Sequence, residues 1–309
     1  MPEENKVLFD TIVIGAGPAG MSAAVYLARK GMQAFVIGTV VGGQTALSGE
    51  VGNYLGFHLI KGSELGKHFH EHAENFSNLK HLHGVEVTKI EKLDGRFRVW
   101  VGSDEAYEAR TVIVASGKKP RELGVPGEKE FKNLGVTYCA TCDAPLFRGK
   151  RVAVIGGGNS ALDAAIQLLN FAPKIYIINI NEKLGGDAIM REKLEGNEKV
   201  EIINQAQTLE ILGDKFVKGL KIRTGGQDRK LEVEGIFIEI GSVPSVDFLP
   251  PAIDLNDRRE IVIDKRNMTS VPGIFAAGDV TDVLEKQTIV AAGEGAKAAI
   301  QASEYLNKL

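Results

Sequence analysis

Cys139 and Cys142, separated by Ala140 and Thr141 and followed at once by Asp143, are the residues of this chain best equipped for chemistry. They are the only two cysteines in 309 residues. A thiolate, not a thiol, is the nucleophile in disulfide exchange. Two thiols at this spacing can pass between dithiol and disulfide within one small loop. Asp143 is placed to give or take the proton of a leaving thiolate. Pro145 suits the first turn of a helix, where its missing N–H would be unpaired anyway. That puts the cysteines near a helix N-terminus, where negative charge is favoured. The competing chemistry is half a zinc site, but structural zinc wants four ligands. All six histidines, at 58, 68, 70, 72, 81 and 83, lie far upstream, and no HExxH pattern occurs. His68, His70 and His72 read as a polar helix surface. His81 and His83 read as ordinary loop or strand positions, so no metal site is expected.

Leu8 to Ile14 has the apolar pattern of a buried strand, followed by Gly15-Ala16-Gly17-Pro18-Ala19-Gly20 and a helix-like run from Met21 to Lys30. Arg151 to Ile155 repeats the strand, followed by Gly156-Gly157-Gly158-Asn159-Ser160-Ala161 and a helix-like run to about Asn170. Each unit is followed by a further apolar strand, Ala34 to Ile37 and Lys174 to Ile178. This is the context that a dinucleotide fingerprint requires. The first Gly permits the tight turn, the second lets backbone approach a pyrophosphate, and the third small residue lets helix pack on strand. The helix N-terminus offers N–H groups and partial positive charge to the phosphates.

Length suggests about two domains. Thr111 to Gly117 and Gly235 to Gly241 read as matching strands that end in turns, and Ile274 to Asp279 as a late strand returning to the first domain. The expected order is therefore an α/β chain with two Rossmann-like, three-layer domains, the second inserted into the first. Residues 1–117 and 248–309 would form one domain and residues 118–247 the other. Lys plus Arg is 37 and Asp plus Glu is 40, giving a net charge of −3. That balance argues against a polyanion binder. No apolar run reaches the length of a membrane span. The start, Met1-Pro2-Glu3-Glu4-Asn5, lacks the basic and apolar regions of a secretion signal, so a cytoplasmic location is expected.

The ordered set of motifs strongly resembles the low-molecular-weight thioredoxin reductases, which are two-domain FAD flavoproteins. The set runs Gly15-x-Gly17-x-x-Gly20, Gly42-Gly43-Gln44, Asn53, Ala115-Ser116-Gly117, Cys139-Ala140-Thr141-Cys142-Asp143, Gly156-x-Gly158-x-x-Ala161, Gly278-Asp279 and Lys286-Gln287. It covers nearly the whole chain in the family's order. The tail from Gly273 to Leu306 also resembles the flavoprotein subunit of alkyl hydroperoxide reductase. That relative carries extra N-terminal thioredoxin-like domains, which this sequence is expected to lack.

The resemblance implies non-covalent FAD in the first domain. Gly15, Gly17, Pro18, Ala19 and Gly20 would border its pyrophosphate. Gly42, Gly43 and Gln44 would lie along the flavin side, with Asn53 nearby and Ala115, Ser116 and Gly117 also in contact. Gly278 and Asp279 would hold the ribityl or phosphate portion. Lys286, Gln287 and Thr288 would approach the isoalloxazine ring. It further implies that Cys142 faces the flavin, that Cys139 attacks the disulfide of a thioredoxin-like partner, and that Asp143 is the acid/base. Family members are usually homodimers, and their inserted domain swings between flavin and partner. An acid at the end of the second strand, usual for binding a ribose, is replaced here by Gly38-Thr39, a departure that some thioredoxin reductases share.

A second departure concerns the electron donor. NADPH-dependent members carry His-Arg-Arg and a further Arg after the second strand of the inserted domain. An arginine fork suits the adenosine 2′-phosphate. The matching stretch here is Asn179-Ile180-Asn181-Glu182-Lys183-Leu184-Gly185-Gly186, with Ile180, Asn181 and Gly185 where the arginines would stand. NADPH is therefore not expected as donor. Three readings remain, one of them a weak dual specificity for both nucleotides, and the other two stand side by side. In one, NADH binds at Gly156, Gly158, Asn159, Ser160 and Ala161, with Asn179, Asn181 or Glu182 on the ribose hydroxyl. In the other, that site is vestigial and ferredoxin supplies electrons. Two alternatives to a thioredoxin-directed enzyme are a reductase serving a peroxiredoxin- or glutaredoxin-like partner and a flavin redox sensor that does not turn over.

Overall fold

Runs of apolar residues with no polar alternation dictate strands covered on both faces, and the structure places them so. It is a computed structural model that describes residues 7–48 and 50–309. The acidic Met1–Asn5 stretch lies outside the described residues. The chain divides into two units. One holds the described residues up to Lys119 together with Val243–Leu309, and the other is Pro120–Ser242.

The first unit begins with β1 (Leu8–Ile14), α1 (Pro18–Arg29), β2 (Ala34–Gly38) and the single turn α2 (Gly43–Ala46). A short pair, β3 (Glu50–Val51) and β4 (Ile60–Lys61), leads into α3 (Gly62–Glu74) and β5 (Leu79–His83). β6 (Val87–Leu93), β7 (Arg96–Val101) and the long β8 (Glu105–Val114) form a meander. β5, β2, β1 and β8 run parallel, in that order. Both faces are sealed by alternation. Ile12, Ile14, Phe35 and Ile37 enter one core, and Val13, Ala34 and Val36 enter the other. The chain then leaves this unit through β9 (Lys118–Pro120).

The second unit contains β10 (Val136–Thr137), α4 (Ala140–Asp143), β11 (Arg151–Ile155), α5 (Asn159–Leu168), β12 (Lys174–Ile178), α6 (Ala188–Leu194) and β13 (Val200–Ile203). β14 (Ala206–Gly213), β15 (Val217–Thr224), β16 (Gln227–Leu231) and β17 (Gly235–Ile238) follow. Its parallel sheet has the order β10-β17-β11-β12-β13, and β14, β15 and β16 form a separate antiparallel sheet. Val152 and Val154 pack on the α5 residues Ala161, Leu162, Ala165 and Leu168. Ala153, Ile155 and Ile178 share a core with Leu220, Ile222 and Leu231 of the antiparallel sheet. Helix, parallel sheet and antiparallel sheet thus form three layers.

The chain returns through β18 (Ser242–Pro244) to β19 (Ile274–Ala276) and α7 (Thr288–Leu306). β19 joins β8 in parallel, next to its C-terminal half. α7 lies close on α1 because the contact is made of small residues. A Cβ on Gly295 would stand 1.9 Å from the Ala19 carbonyl oxygen, so no larger residue fits. α1 starts at Pro18, three residues before the helical run expected from Met21, because Pro in the first turn is already set to a helical φ. No helix among the described residues is long and apolar enough to cross a membrane.

Candidate functional site

Cys139 and Cys142 are joined as a disulfide with Cα atoms 5.4 Å apart. The local sequence produces this geometry. Cys139 is extended (φ −142°, ψ 98°) and caps the single turn α4, so its Sγ accepts from the Cys142 N–H at 3.2 Å. Ala140 and Ala144 are buried and anchor the turn, while Cys142 is exposed and Cys139 half-buried. A 3-10 turn over Ala144–Phe147 follows, with Pro145 at its start. Asp143 is held in place by Thr137. The Thr137 hydroxyl donates to Asp143 Oδ2 and accepts from the Cys139 N–H at 3.2 Å. Thr137 was not singled out from sequence. Nothing in the local pattern links the end of β10 to a carboxylate six residues on.

The glycine turns of the first unit converge. Gly15 has φ +119°, and a Cβ there would meet the Ala115 carbonyl oxygen at 2.1 Å. A Cβ on Gly20 would meet the Gly15 oxygen at 1.8 Å, so α1 can lie this close to the turn only with glycine. No side chain caps the N-terminus of α1. Its first N–H groups thus have no capping acceptor from the chain, which suits an anion. Pro18 and Ala19 form that first turn. The Gly42 N–H donates to Ala16 at 2.8 Å and brings the Gly42-Gly43-Gln44 turn onto the same cradle. Gln44 Nε2 donates to the Lys118 carbonyl at 2.9 Å. Asn53 Nδ2 donates to Gln287 Oε1 at 3.1 Å, and the Thr45 and Thr288 hydroxyls meet at 3.1 Å. Gly278, with φ +79°, lies where a Cβ would press on Ala19. Ser116 donates to the Ser245 carbonyl at 2.8 Å, and Gly117 accepts from the Ser245 N–H at 3.0 Å. A cavity of about 330 Å³ opens beside these turns, lined in part by Gly15, Gly38, Thr39, Glu86, Ser116 and Ser245. The bare helix N-terminus, the side-chain-free turns and this cavity fit a bound dinucleotide such as FAD.

A charged knot borders the cradle and takes in Lys286 and Asp279, both expected at the cofactor, together with Glu260 and Asn256, which were not. Glu260 takes Lys118 at 3.1 Å and Lys286 at 3.2 Å, with Asn256 donating at 3.0 Å. Burial alone would raise the Glu260 carboxyl, but the hydrogen bonds from Asn256, Lys118 and Lys286 outweigh it and hold it at about 2. Lys286 also donates to the carbonyls of Asp279 and Thr281. Burial pushes the Asp279 carboxyl above its ordinary range, against the opposing pull of Lys286 and Lys118. A ligand hydroxyl is a partner that a carboxyl so placed can accept.

The second fingerprint is built in the same way. Gly156 has φ +138°, and a Cβ would meet the Glu239 carbonyl oxygen at 2.1 Å. Gly158 caps α5 with open space around it, Asn159 and Ser160 are exposed, and Ala161 is fully buried beneath the turn. Beyond the turn, the three residues expected near a ribose lie in different surroundings. The Asn179 side chain is buried and engaged, donating to Asn204 beyond the end of β13 at 2.8 Å and accepting from the Asn181 N–H at 3.2 Å. It is not free for a ribose. Asn181 and Glu182 are exposed. Asn159 Oδ1 accepts from the Asp187 N–H at 2.8 Å, which folds the Gly185–Gly186 loop back on the start of α5.

Glu239, at the end of β17, is pushed up to about 8, first by burial and then by the charge of Asp163. Its folded value lies above its unfolded value of about 4.5. The native chain therefore keeps a proton that the unfolded chain has lost, and this contribution falls as pH rises from about 4.5 through 8. Glu239→Gln should leave the melting temperature unchanged near pH 4 and raise it near pH 8.5. Parallel thermal melts of the two proteins across that range check this. Equal pH profiles would mean that Glu239 ionises normally.

The expected helix surface holds for His68 and His72, which are exposed, but not for His70. His58 and His68 are exposed, but His70, His81 and His83 come together on the inner side of α3.

Comparison with known proteins adds a family and several relatives. The family described as pyridine nucleotide-disulphide oxidoreductase matches residues 9–295. A subunit of the alkyl hydroperoxide reductase of Xanthomonas campestris pv. phaseoli is 41% identical over 305 residues, which cover 97% of this chain and 58% of that protein. The chain therefore spans less than two thirds of this relative. The crystal structure of T. acidophilum thioredoxin reductase is similar at 42% identity and a TM-score of 0.87, covering 97% of this chain and 98% of the other. A ferredoxin-flavin thioredoxin reductase from Clostridium acetobutylicum is similar at 33% identity and a TM-score of 0.54, covering 97% and 99%.

Proposed function

The chain belongs to the pyridine nucleotide-disulphide oxidoreductase family, and on that premise we propose that it reduces the disulfide of a thioredoxin-like protein with electrons passed through FAD to Cys139 and Cys142. The observation that carries this reading is the closed Cys139–Cys142 disulfide on its own capped turn, in a chain that also holds the glycine cradle for a dinucleotide.

In the dithiol state, Cys139 as thiolate attacks one sulfur of the partner disulfide. The partner S–S bond breaks, a mixed disulfide forms, and the leaving partner thiolate takes a proton that Asp143 is placed to supply. Cys142 then attacks the Cys139 sulfur. The Cys139–Cys142 bond closes and the partner leaves as a dithiol, so two electrons and two protons have passed to it. Thr137 orients Asp143 and ties it to the backbone of Cys139. FAD, when bound, supplies the electron pair that reopens the disulfide, whether its donor gives electrons in pairs or singly. Gly15, Gly17, Gly20 and the first turn of α1 would hold its pyrophosphate. Asp279, with Lys286 close by, would take its hydroxyls. Asn53 paired with Gln287, and Thr288 paired with Thr45, would approach its far end.

For the donor, the reading favours ferredoxin or NADH over NADPH. Residues 179–186 offer one basic side chain, Lys183, where a 2′-phosphate would need several. The similarity to a structure described as a ferredoxin-flavin thioredoxin reductase supports keeping the first of these. A second reading of the partner, a peroxiredoxin-like protein, is favoured by the 41% identity to part of an alkyl hydroperoxide reductase.

The test is to reduce the anaerobic flavoprotein chemically and add oxidised thioredoxin or oxidised peroxiredoxin in turn. Rapid appearance of two thiols per thioredoxin is the expected result. Thiols on peroxiredoxin alone would select the second reading. Thiols on neither would overturn both.

A further inference from the structure

Three histidines that the disulfide chemistry does not use meet in the first unit. α3 directs His70 toward the edge strand β5, and His81 and His83, two apart on β5, present the same face to it. The His70 ring lies 5.6 Å from that of His81 and 4.9 Å from that of His83, centroid to centroid. One ligating nitrogen from each can be chosen so that all lie within 4.8 Å of one another.

The hydrogen-bond account of this cluster does not close with protein groups. His70 Nδ1 and both ring nitrogens of His81 and His83 are closed off from solvent and have no partner. Each neutral imidazole has one N–H to donate and one lone pair to receive, and buried polar groups are rarely left unpaired. The carboxylate nearest them, Glu74, takes the outer side of His70, with Oε1 3.2 Å from Nε2. That contact engages Nε2 and leaves Nδ1 buried and without a partner. A carboxylate behind a histidine, with the other nitrogen turned inward, is how metal-bound imidazoles are oriented.

We propose that His70, His81 and His83 form a binding site for a divalent transition-metal ion of the zinc class, with Glu74 orienting His70 from behind. Three imidazoles suit zinc, nickel or copper and not magnesium or calcium, which take oxygen ligands. The trio leaves a fourth position to water or an outside ligand. Bound metal would tie α3 to β5. α3 also lies against the glycine cradle, since a Cβ on Gly42 would meet Gly66 Cα at 2.7 Å. The ion would therefore brace a wall of the dinucleotide site. This inference stands apart from the disulfide reading.

Untagged, air-oxidised holoprotein, with its cysteines closed, is stripped with a chelator and dialysed against micromolar zinc chloride. Elemental analysis should find one zinc per chain. His81→Ala and His83→Ala should each lose it, Glu74→Gln should weaken it about 10- to 100-fold, and His58→Ala should retain it. No zinc on the wild type, or equal zinc on the His81→Ala/His83→Ala double variant, overturns the proposal. Should the alanine variants not fold, cobalt chloride on the wild type decides. Ligand-field bands of a nitrogen-ligated ion, without a thiolate charge-transfer band, support the site. Their absence overturns it.

Discussion

Cys139→Ser and Cys142→Ser are each expected to cut protein-disulfide turnover by roughly 10⁴-fold or more, the scale on which loss of a covalent nucleophile is felt. Both should keep their flavin, because the glycine cradle lies in the other unit. A serine hydroxyl neither ionises near neutral pH nor forms an S–S bond, so each variant stops the exchange at a different point. With Cys142→Ser, Cys139 can still attack the partner, but nothing resolves the mixed disulfide. A covalent adduct of the two proteins should then accumulate, visible on a non-reducing gel and lost with dithiothreitol. With Cys139→Ser no adduct should form. The opposite pattern would exchange the two roles, and it has a structural basis to be tested against, since Cys142 is the more exposed of the two. Full turnover in both variants would remove the disulfide from the reaction and leave a flavin–donor activity in which the cysteines are incidental.

The second large effect is on the donor. A 2′-phosphate held by arginines gains charge-assisted hydrogen bonds of about 1.5–3 kcal/mol each. Two missing arginines therefore correspond to a factor on the order of 10² or more against NADPH. Ile180 and Asn181 are both exposed where those arginines would stand. Ile180→Arg combined with Asn181→Arg is expected to raise kcat/KM for NADPH by about 10- to 100-fold if the second fingerprint takes nucleotides at all. The parent protein is mixed without oxygen with NADPH, NADH and reduced ferredoxin in turn, and loss of flavin colour is timed. Rapid bleaching by NADH makes the chain a nicotinamide-dependent reductase. Silence with both nucleotides and bleaching by ferredoxin, with no gain from the double arginine variant, makes the fingerprint a scaffold. Rapid bleaching by NADPH in the parent would sink the reading of residues 179–186.

Legibility followed distance along the chain. The strand, glycine turn and helix of each fingerprint were readable because each is fixed by neighbours: apolar runs, a turn that needs φ above zero, and a helix begun by Pro18 or Gly158. A helical turn beside the cysteines was expected from Pro145, but Pro145 opens the 3-10 turn that follows α4, and the cap by Cys139 was not read. Asn179 shows where this stops. Its place after β12 suggested a ribose contact, yet its amide is engaged by Asn204 and Asn181, partners that a linear reading does not supply.

Two α/β units and a cysteine pair able to close as a disulfide could be read from residue order alone. These rest on backbone sterics, side-chain period and residue type, all local properties. The folded chain settled that Glu260 would gather Lys118 from 142 residues away together with Lys286, and that Thr137 would hold Asp143. It likewise decided that His70 would turn away from the solvent-facing His68 toward His81 and His83. Such contacts depend on which helix face is pressed against which strand. That is settled by burying apolar area over the whole unit, a sum to which no single residue's identity gives the answer.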